Sequence, residues 1–118
     1  MEKSIWNFLV DINSIDIQDT KERFLENESF FKSCLEKCLF DSEFENLKVS
    51  LQKQDVSSAF ESAHSLKGMT SNCGLTSLYD ILLKITEPLR HGDCDGLLAY
   101  YDLLEKELKR IRDIFSTY

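Results

Sequence analysis

Apolar residues recur at spacings of three and four through most of this chain, and this periodicity limits the fold more than any other feature. Residues spaced in this way share one face of an α-helix. The single proline and four glycines leave little material for the many turns of a sheet, so an all-α protein is predicted. The two longest stripes are Leu75, Leu78, Leu82, Ile85 and Leu89, followed by Leu97, Tyr101, Leu104, Leu108, Ile111 and Phe115.

Capping residues divide the periodic pattern into separate helices. Asn27 and Asp55 suit the N-cap position, and Glu28 places a negative charge in a first turn, where the helix dipole favours it. Gly74 suits the left-handed turn that ends a helix. The expected helices are a short one over 4–10, a second short one capped by Asp19 or Thr20, one from Asn27, one from Asp41 or Ser42, one from Asp55 to Asn72, one over 75–91, and a last one capped by Asp93.

Helices with such apolar stripes, joined by short turns, pack most simply as an antiparallel up-down four-helix bundle. We expect residues 27–116 to form this bundle, with the helix that begins at Asn27 as its first member. Residues 1–26 are expected to add short N-terminal helices as a lid, with Ile15 and Ile17 turned inward. The length of 118 residues, without repeats or low-complexity segments, predicts a single domain over 1–118.

Charge and composition exclude several classes of function. The formal net charge of −7 argues against binding to nucleic acid or to an anionic membrane, since both are recognised through clustered lysine and arginine. The N-terminal apolar run is too short and too polar for a signal peptide or a membrane span, so a cytoplasmic location is expected. In such a reducing compartment Cys34, Cys38, Cys73 and Cys94 are expected to be free thiols, and Cys34 with Cys38 is weak support for zinc.

The helix predicted over 55–72 carries the candidate functional residues. Its buried stripe is expected to consist of Val56, Ala59, Ala63, Leu66, Thr70 and Cys73. His64 lies roughly 130° from the centre of this stripe, so its imidazole is expected to face solvent. Lys67 and Gly68 lie one turn further on the same side. A glycine in mid-helix costs about 1 kcal/mol relative to alanine, which indicates that something approaches the backbone there.

These residues resemble a known signature. The string His64-Ser65-Leu66-Lys67-Gly68, preceded by Ala63 and followed by Gly74-Leu75 and Leu78, is similar to the motif of the histidine-containing phosphotransfer (HPt) domain family. The pattern of that family is His-x-Leu/Ile-Lys-Gly, then a glycine ten residues after the histidine where two helices meet. The resemblance extends from about Ile15 to Phe115 and implies a helical bundle with the active histidine on a solvent-facing surface.

The resemblance also implies a function in a multistep two-component phosphorelay. His64 would accept a phosphoryl group from the aspartate of a response-regulator receiver domain and pass it to another receiver, which brings its own magnesium; a hybrid sensor histidine kinase is a further expected partner. The chain has no glycine-rich nucleotide loop. We therefore expect a monomeric phosphoryl carrier without kinase activity, cofactor or bound metal of its own.

The neighbours of His64 suggest supporting roles. Lys67 would offset the charge of the phosphoryl group, and Ser71 and Asn72 could donate hydrogen bonds to it. Glu61 would either repel the phosphoryl group or orient the imidazole. Phe60 is either a core-edge aromatic or part of a docking patch.

Gly74 is interpreted as the structural turn after the site helix, and His91 as a helix-end residue rather than a second phosphoacceptor.

Two other functions stay open on the sequence alone. One is a helical interaction module that binds a receiver or kinase without phosphotransfer. The other is a metal-binding bundle that uses His64, His91 and the cysteines.

Overall fold

The computed structural model describes residues 3–118, and within that range the chain forms seven α-helices without strands. None of the helices in this range is both long and apolar enough to cross a lipid bilayer. The helices are α1 (Trp6–Asp11), α2 (Ile17–Arg23), α3 (Glu28–Leu39), α4 (Glu43–Gln52), α5 (Val56–Asn72), α6 (Thr76–Arg90) and α7 (Leu97–Phe115).

Four helices form the closed ring of the bundle. Helix α5 packs between α4 and α6, α6 packs on α7, and α7 closes the ring against α4. Short connections join consecutive members, so that neighbours run antiparallel. The predicted all-α, up-down four-helix bundle is therefore confirmed. Tyr101 ties α7 to α4, because its buried hydroxyl donates a hydrogen bond of 2.9 Å to the carbonyl of Phe44.

The helix that begins at Asn27 does not take the place expected for it. This helix, α3, packs on α5 beside the ring, and the fourth member of the ring is α4. The sequence pattern could not separate the two, because α3 and α4 both carry an apolar face. Arg112 links α7 to the end of α3 through a 2.7 Å hydrogen bond to the carbonyl of Leu39.

The N-terminal helices add an aromatic layer to the core. Phe8 of α1 is fully buried and meets Phe115 edge-on at 5.8 Å, while Trp6 stacks on Phe31 of α3 at 4.9 Å. Ile17 packs against the core as expected. The prediction for Ile15 is wrong, since this side chain is 88% exposed.

Helix starts follow the predicted caps at two places. The carboxamide of Asn27 accepts a hydrogen bond of 3.0 Å from the backbone of Phe30, and the carboxylate of Asp55 accepts one of 3.2 Å from the backbone of Ser58. The latter hydrogen bond also lowers the pKa of Asp55.

Two other predicted caps are wrong. Helix α2 begins after Asp16, and Thr20 lies buried inside it. Helix α7 begins only at Leu97, because Gly96 has a left-handed backbone with φ of +74°. The carboxylate of Asp93 instead accepts a 2.9 Å hydrogen bond from the backbone of Asp95, within the preceding turn.

Gly74 fixes the sharp reversal between α5 and α6. Its φ is +72°, which favours glycine, and a Cβ at this position would lie 2.5 Å from the hydroxyl of Thr20. The Gly74 carbonyl also accepts a 2.7 Å hydrogen bond from the Ser14 hydroxyl. The end of α5 is thus held by the N-terminal segment as well as by its own turn.

Gly74→Ala is expected to destabilise the protein more than Gly92→Ala. Both glycines have positive φ, but a Cβ at Gly92 meets no atom within 4 Å. The backbone strain shared by both sites costs about 1 to 2 kcal/mol, and the clash at Gly74 adds about 1 to 3 kcal/mol. Urea unfolding of the two variants measures the difference, and equal losses of unfolding free energy would show that Thr20 does not crowd this turn.

Candidate functional site on helix α5

Helix α5 has one face that is buried in the bundle and one face that is exposed to solvent. The predicted buried stripe is confirmed from Ala59 onward, since Ala59, Ala63, Leu66 and Thr70 are fully buried and Cys73 is buried. Val56, at the start of the stripe, is only half-buried. On the opposite side His64, Gly68 and Ser71 are exposed and Lys67 is half-buried. Residues at offsets of zero, three, four and seven share one helix face, so the structure brings these four predicted site residues together on one face.

His64 faces solvent and is backed by an aromatic ring. Its imidazole stacks on Phe60, one turn earlier, with ring centroids 5.7 Å apart and planes 17° from parallel. The guanidinium of Arg90, from the last turn of α6, lies 5.4 Å from the centre of the same Phe60 ring. The half-buried Phe60 packs at the edge of the core, which is one of the two roles considered for it. It also borders the exposed histidine, and its part in docking stays a prediction.

Lys67 offers a positive charge next to His64. Its ammonium group forms no ion pair with any residue of the described range 3–118. The backbone carbonyl of Lys67 accepts a 3.1 Å hydrogen bond from Thr70, which belongs to the buried face. Lys67 as a whole is half-buried, and because its ammonium group has no ion-pair partner in this range, its charge is available to an incoming anion.

Gly68 leaves an opening in the cover of side chains over α5. A Cβ at this position would meet no atom within 4 Å, and the backbone there is helical. Crowding by the rest of the protein therefore does not explain the glycine. What the missing side chain provides is access to the helix surface beside the histidine.

The remaining predicted contacts divide between two surfaces. Glu61 is exposed, and among residues 3–118 it has no hydrogen bond or ion pair to His64; the imidazole is positioned here by Phe60 instead. Ser71 lies on the His64 face. Asn72 is also exposed but lines a cavity toward α3, away from that face.

Two features of the site were not predicted from the sequence. One is Arg90, and the other is a shallow depression of about 250 Å³ near the end of α5, whose lining includes Ser71, Tyr79 and the exposed Ile15. The sequence could have indicated that Arg90 lies near Phe60. Helices α5 and α6 pack antiparallel on either side of the turn at Leu75, and Phe60 and Arg90 are equally far from that turn along the chain.

The second histidine, His91, lies at a helix end. His91 is exposed at the C-terminal end of α6, as expected of a helix-end residue. Across the described residues, no group of three or more histidine, cysteine, aspartate or glutamate side chains is arranged to hold a metal ion.

The structure is an all-helical bundle with an exposed histidine beside a lysine and a glycine. In the comparison with protein families, the model of the Hpt domain matches residues 32–114, which is more than half of the chain. The chain belongs to the Hpt domain family, whose members carry phosphoryl groups on histidine in two-component signalling and are carriers rather than enzymes. Neither a search of curated proteins nor a search of solved structures found a significant match.

Gly68→Ala is expected to stabilise the free protein by about 0.5 to 1 kcal/mol. Alanine has the higher helix propensity, and the space around Gly68 accepts a methyl group without contact. Urea unfolding at fixed pH measures the change. A loss of stability would mean that the helix needs glycine for its own packing. It would contradict the interpretation that Gly68 leaves room for a partner.

Proposed function

We propose that this protein is a cytoplasmic, monomeric phosphoryl carrier that accepts a phosphoryl group on His64 from a receiver-domain aspartate and passes it to the aspartate of another receiver. The observation that carries the proposal is the exposed imidazole at an open position of α5, next to a lysine that forms no ion pair within residues 3–118. Family membership supports the same kind of chemistry.

The transfer needs only what the exposed face of α5 presents. A neutral imidazole has one nitrogen with a free lone pair, which attacks the phosphorus of the aspartyl phosphate. The bond between phosphorus and the aspartate oxygen breaks, the carboxylate leaves, and the other ring nitrogen keeps its proton. In the forward step a carboxylate oxygen of the second receiver attacks the phosphoramidate and releases the imidazole.

Lys67 would favour the phosphorylated state of His64. The phosphoryl group adds negative charge one turn from the ammonium group, and a charge-assisted hydrogen bond between them is stronger than a neutral one. Glu61 on the neighbouring exposed surface opposes this, because it lies one turn before His64. Magnesium, as in the resemblance described above, would belong to the receiver and not to this chain.

The partner would dock on the same face. Phosphoryl transfer requires the attacking nitrogen to come within about 3.5 Å of phosphorus, so the receiver must nearly touch α5. Gly68 leaves room for this approach. Apolar surface for docking is available at Phe60 on one side of His64 and at Ile15 and Tyr79 on the other.

Loss of His64 is expected to abolish transfer, whereas loss of His91 is not. After incubation with a receiver domain carrying labelled aspartyl phosphate, wild type and His91→Gln should gain label that is labile in acid and stable in base, as expected of phosphohistidine. His64→Gln should gain none, because only His64 lies beside Lys67 and Gly68. Label that survives on His64→Gln would refute the assignment and favour an interaction module or another acceptor.

Lys67→Ala is expected to slow transfer by about five- to thirtyfold, corresponding to about 1 to 2 kcal/mol in a partly exposed charge-assisted contact. The matched control is Lys106→Ala, since Lys106 is exposed on α7, which packs on α4 and α6. Rapid-quench measurement of labelled His64 gives both rates. Equal rates for the two variants would exclude a role for Lys67 in stabilising the phosphoryl group.

A further inference from the structure

Phe60 stacks directly on the imidazole of the proposed phosphoacceptor. The two rings lie with their centroids 5.7 Å apart and their planes 17° from parallel, within the range of offset-stacked aromatic pairs. Phe60, His64 and Gly68 follow one another at intervals of four residues, so they form one row along α5. Along this row the histidine has the ring of Phe60 on one side and the opening at Gly68 on the other.

The ring of Phe60 is itself held in place by its surroundings. Phe60 is half-buried and packs against the core. The guanidinium of Arg90 lies over this ring at 5.4 Å from its centre, and a cation in that place is attracted by the ring quadrupole. The Nε atom of Arg90 lies in turn 3.5 Å from the carboxylate of Glu87. Phe60 therefore offers His64 an anchored surface.

No polar contact orients the imidazole within residues 3–118. The side chain of His64 forms neither a hydrogen bond nor an ion pair in that range. A histidine on a helix has two common rotamers about its first side-chain bond, and its ring turns over a broad range about the second. The stack on Phe60 favours the one orientation in which the two rings are nearly parallel.

We infer that Phe60 is a positioning residue for His64, and that its ring holds the imidazole in one orientation for attack on phosphorus. This inference rests on the proposed function, in which His64 is the phosphoacceptor. The lone pair that attacks lies in the plane of the imidazole, whereas the stack covers only a face of the ring. Phe60 therefore orients the nucleophile without masking it.

Positioning of this kind acts on the transfer step and not on the binding of the receiver. The attacking nitrogen has to come within about 3.5 Å of phosphorus in the right direction. An imidazole that already has this orientation loses less rotational freedom when the receiver is bound. The stack therefore raises the rate within the complex and leaves the affinity of the complex unchanged.

Phe60→Leu separates positioning from docking, because leucine keeps an apolar side chain at this place but removes the flat ring. Rapid-quench transfer from a labelled receiver at a series of concentrations gives the maximal rate and the half-saturating concentration. The maximal rate should fall about three- to tenfold, as expected from the loss of one aromatic pair, while the half-saturating concentration stays the same. Phe60→Tyr keeps the ring and should retain the wild-type maximal rate.

Phe40→Leu is the matched control. Phe40 is exposed at the end of α3, and the guanidinium of Arg112 lies 4.9 Å from the centre of its ring. Among the described residues this ring stacks on no histidine, so the variant loses the same kind of phenylalanine–arginine contact without touching His64. It should transfer at the wild-type rate. Urea unfolding checks that both leucine variants are folded under the conditions of the assay.

NMR of the free protein tests the stack without any transfer. In wild type and in Phe60→Tyr the ring protons of His64 should show nuclear Overhauser contacts to the aromatic ring at position 60. The imidazole signals should shift in Phe60→Leu and stay in place in Phe40→Leu.

The inference is overturned if Phe60→Leu reaches the wild-type maximal rate, or if only its half-saturating concentration rises, which would make Phe60 a docking residue. Absence of contacts between the two rings in free wild type would overturn it as well. Failure of the proposed function has a different signature, since wild type itself would then gain no label, or His64→Gln would gain it. In that case the inference fails too, whatever the ring contacts show.

Discussion

The structure depends on the contrast between the two faces of helix α5. On the inner face the small side chains of Ala59 and Ala63 are fully buried, and small residues allow neighbouring helices to pack closely. Helices α4 and α6 hold α5 from both sides, so the outer face need not contribute to the core. That freedom allows an imidazole and a glycine to occupy exposed positions, and the glycine costs the helix only about 1 kcal/mol.

Most of this contrast could be predicted from local pattern alone. The buried stripe of α5, the caps at Asn27 and Asp55, and the reversal at Gly74 each depend on residues close together in the sequence, where spacing and turn chemistry decide the outcome. The exposure of His64 followed from the same helical spacing. These are features in which local preference and global packing agree.

The sequence did not predict features that depend on distant contacts. Asp93 has the side chain of a helix cap, but its carboxylate accepts a hydrogen bond within the turn that precedes α7. Helix α7 begins only after Gly96, whose backbone is left-handed. Ile15 is apolar, yet hydrophobicity alone does not decide burial, and it stands exposed near the end of α5. The placement of Arg90 near Phe60 required the packing of α6 on α5.

Charge and shape would contribute differently to the proposed recognition. The net charge of −7 gives no long-range attraction to an acidic phosphorylated partner, and salt screens exposed charges beyond about 8 to 10 Å. Recognition would therefore depend on close apolar contact and on the local charge of Lys67. A carrier of this kind has to release its partner after each transfer, which is consistent with small apolar patches around an open helix surface.

The most direct test of this account is an NMR titration of the isotope-labelled protein with a receiver domain held in its activated form by beryllofluoride. The account predicts that the amide signals that shift belong to the exposed face of α5, around His64, Lys67, Gly68 and Ser71. Shifts confined to α7, for example around Lys106 and Lys109, with the signals of α5 unchanged, would contradict it.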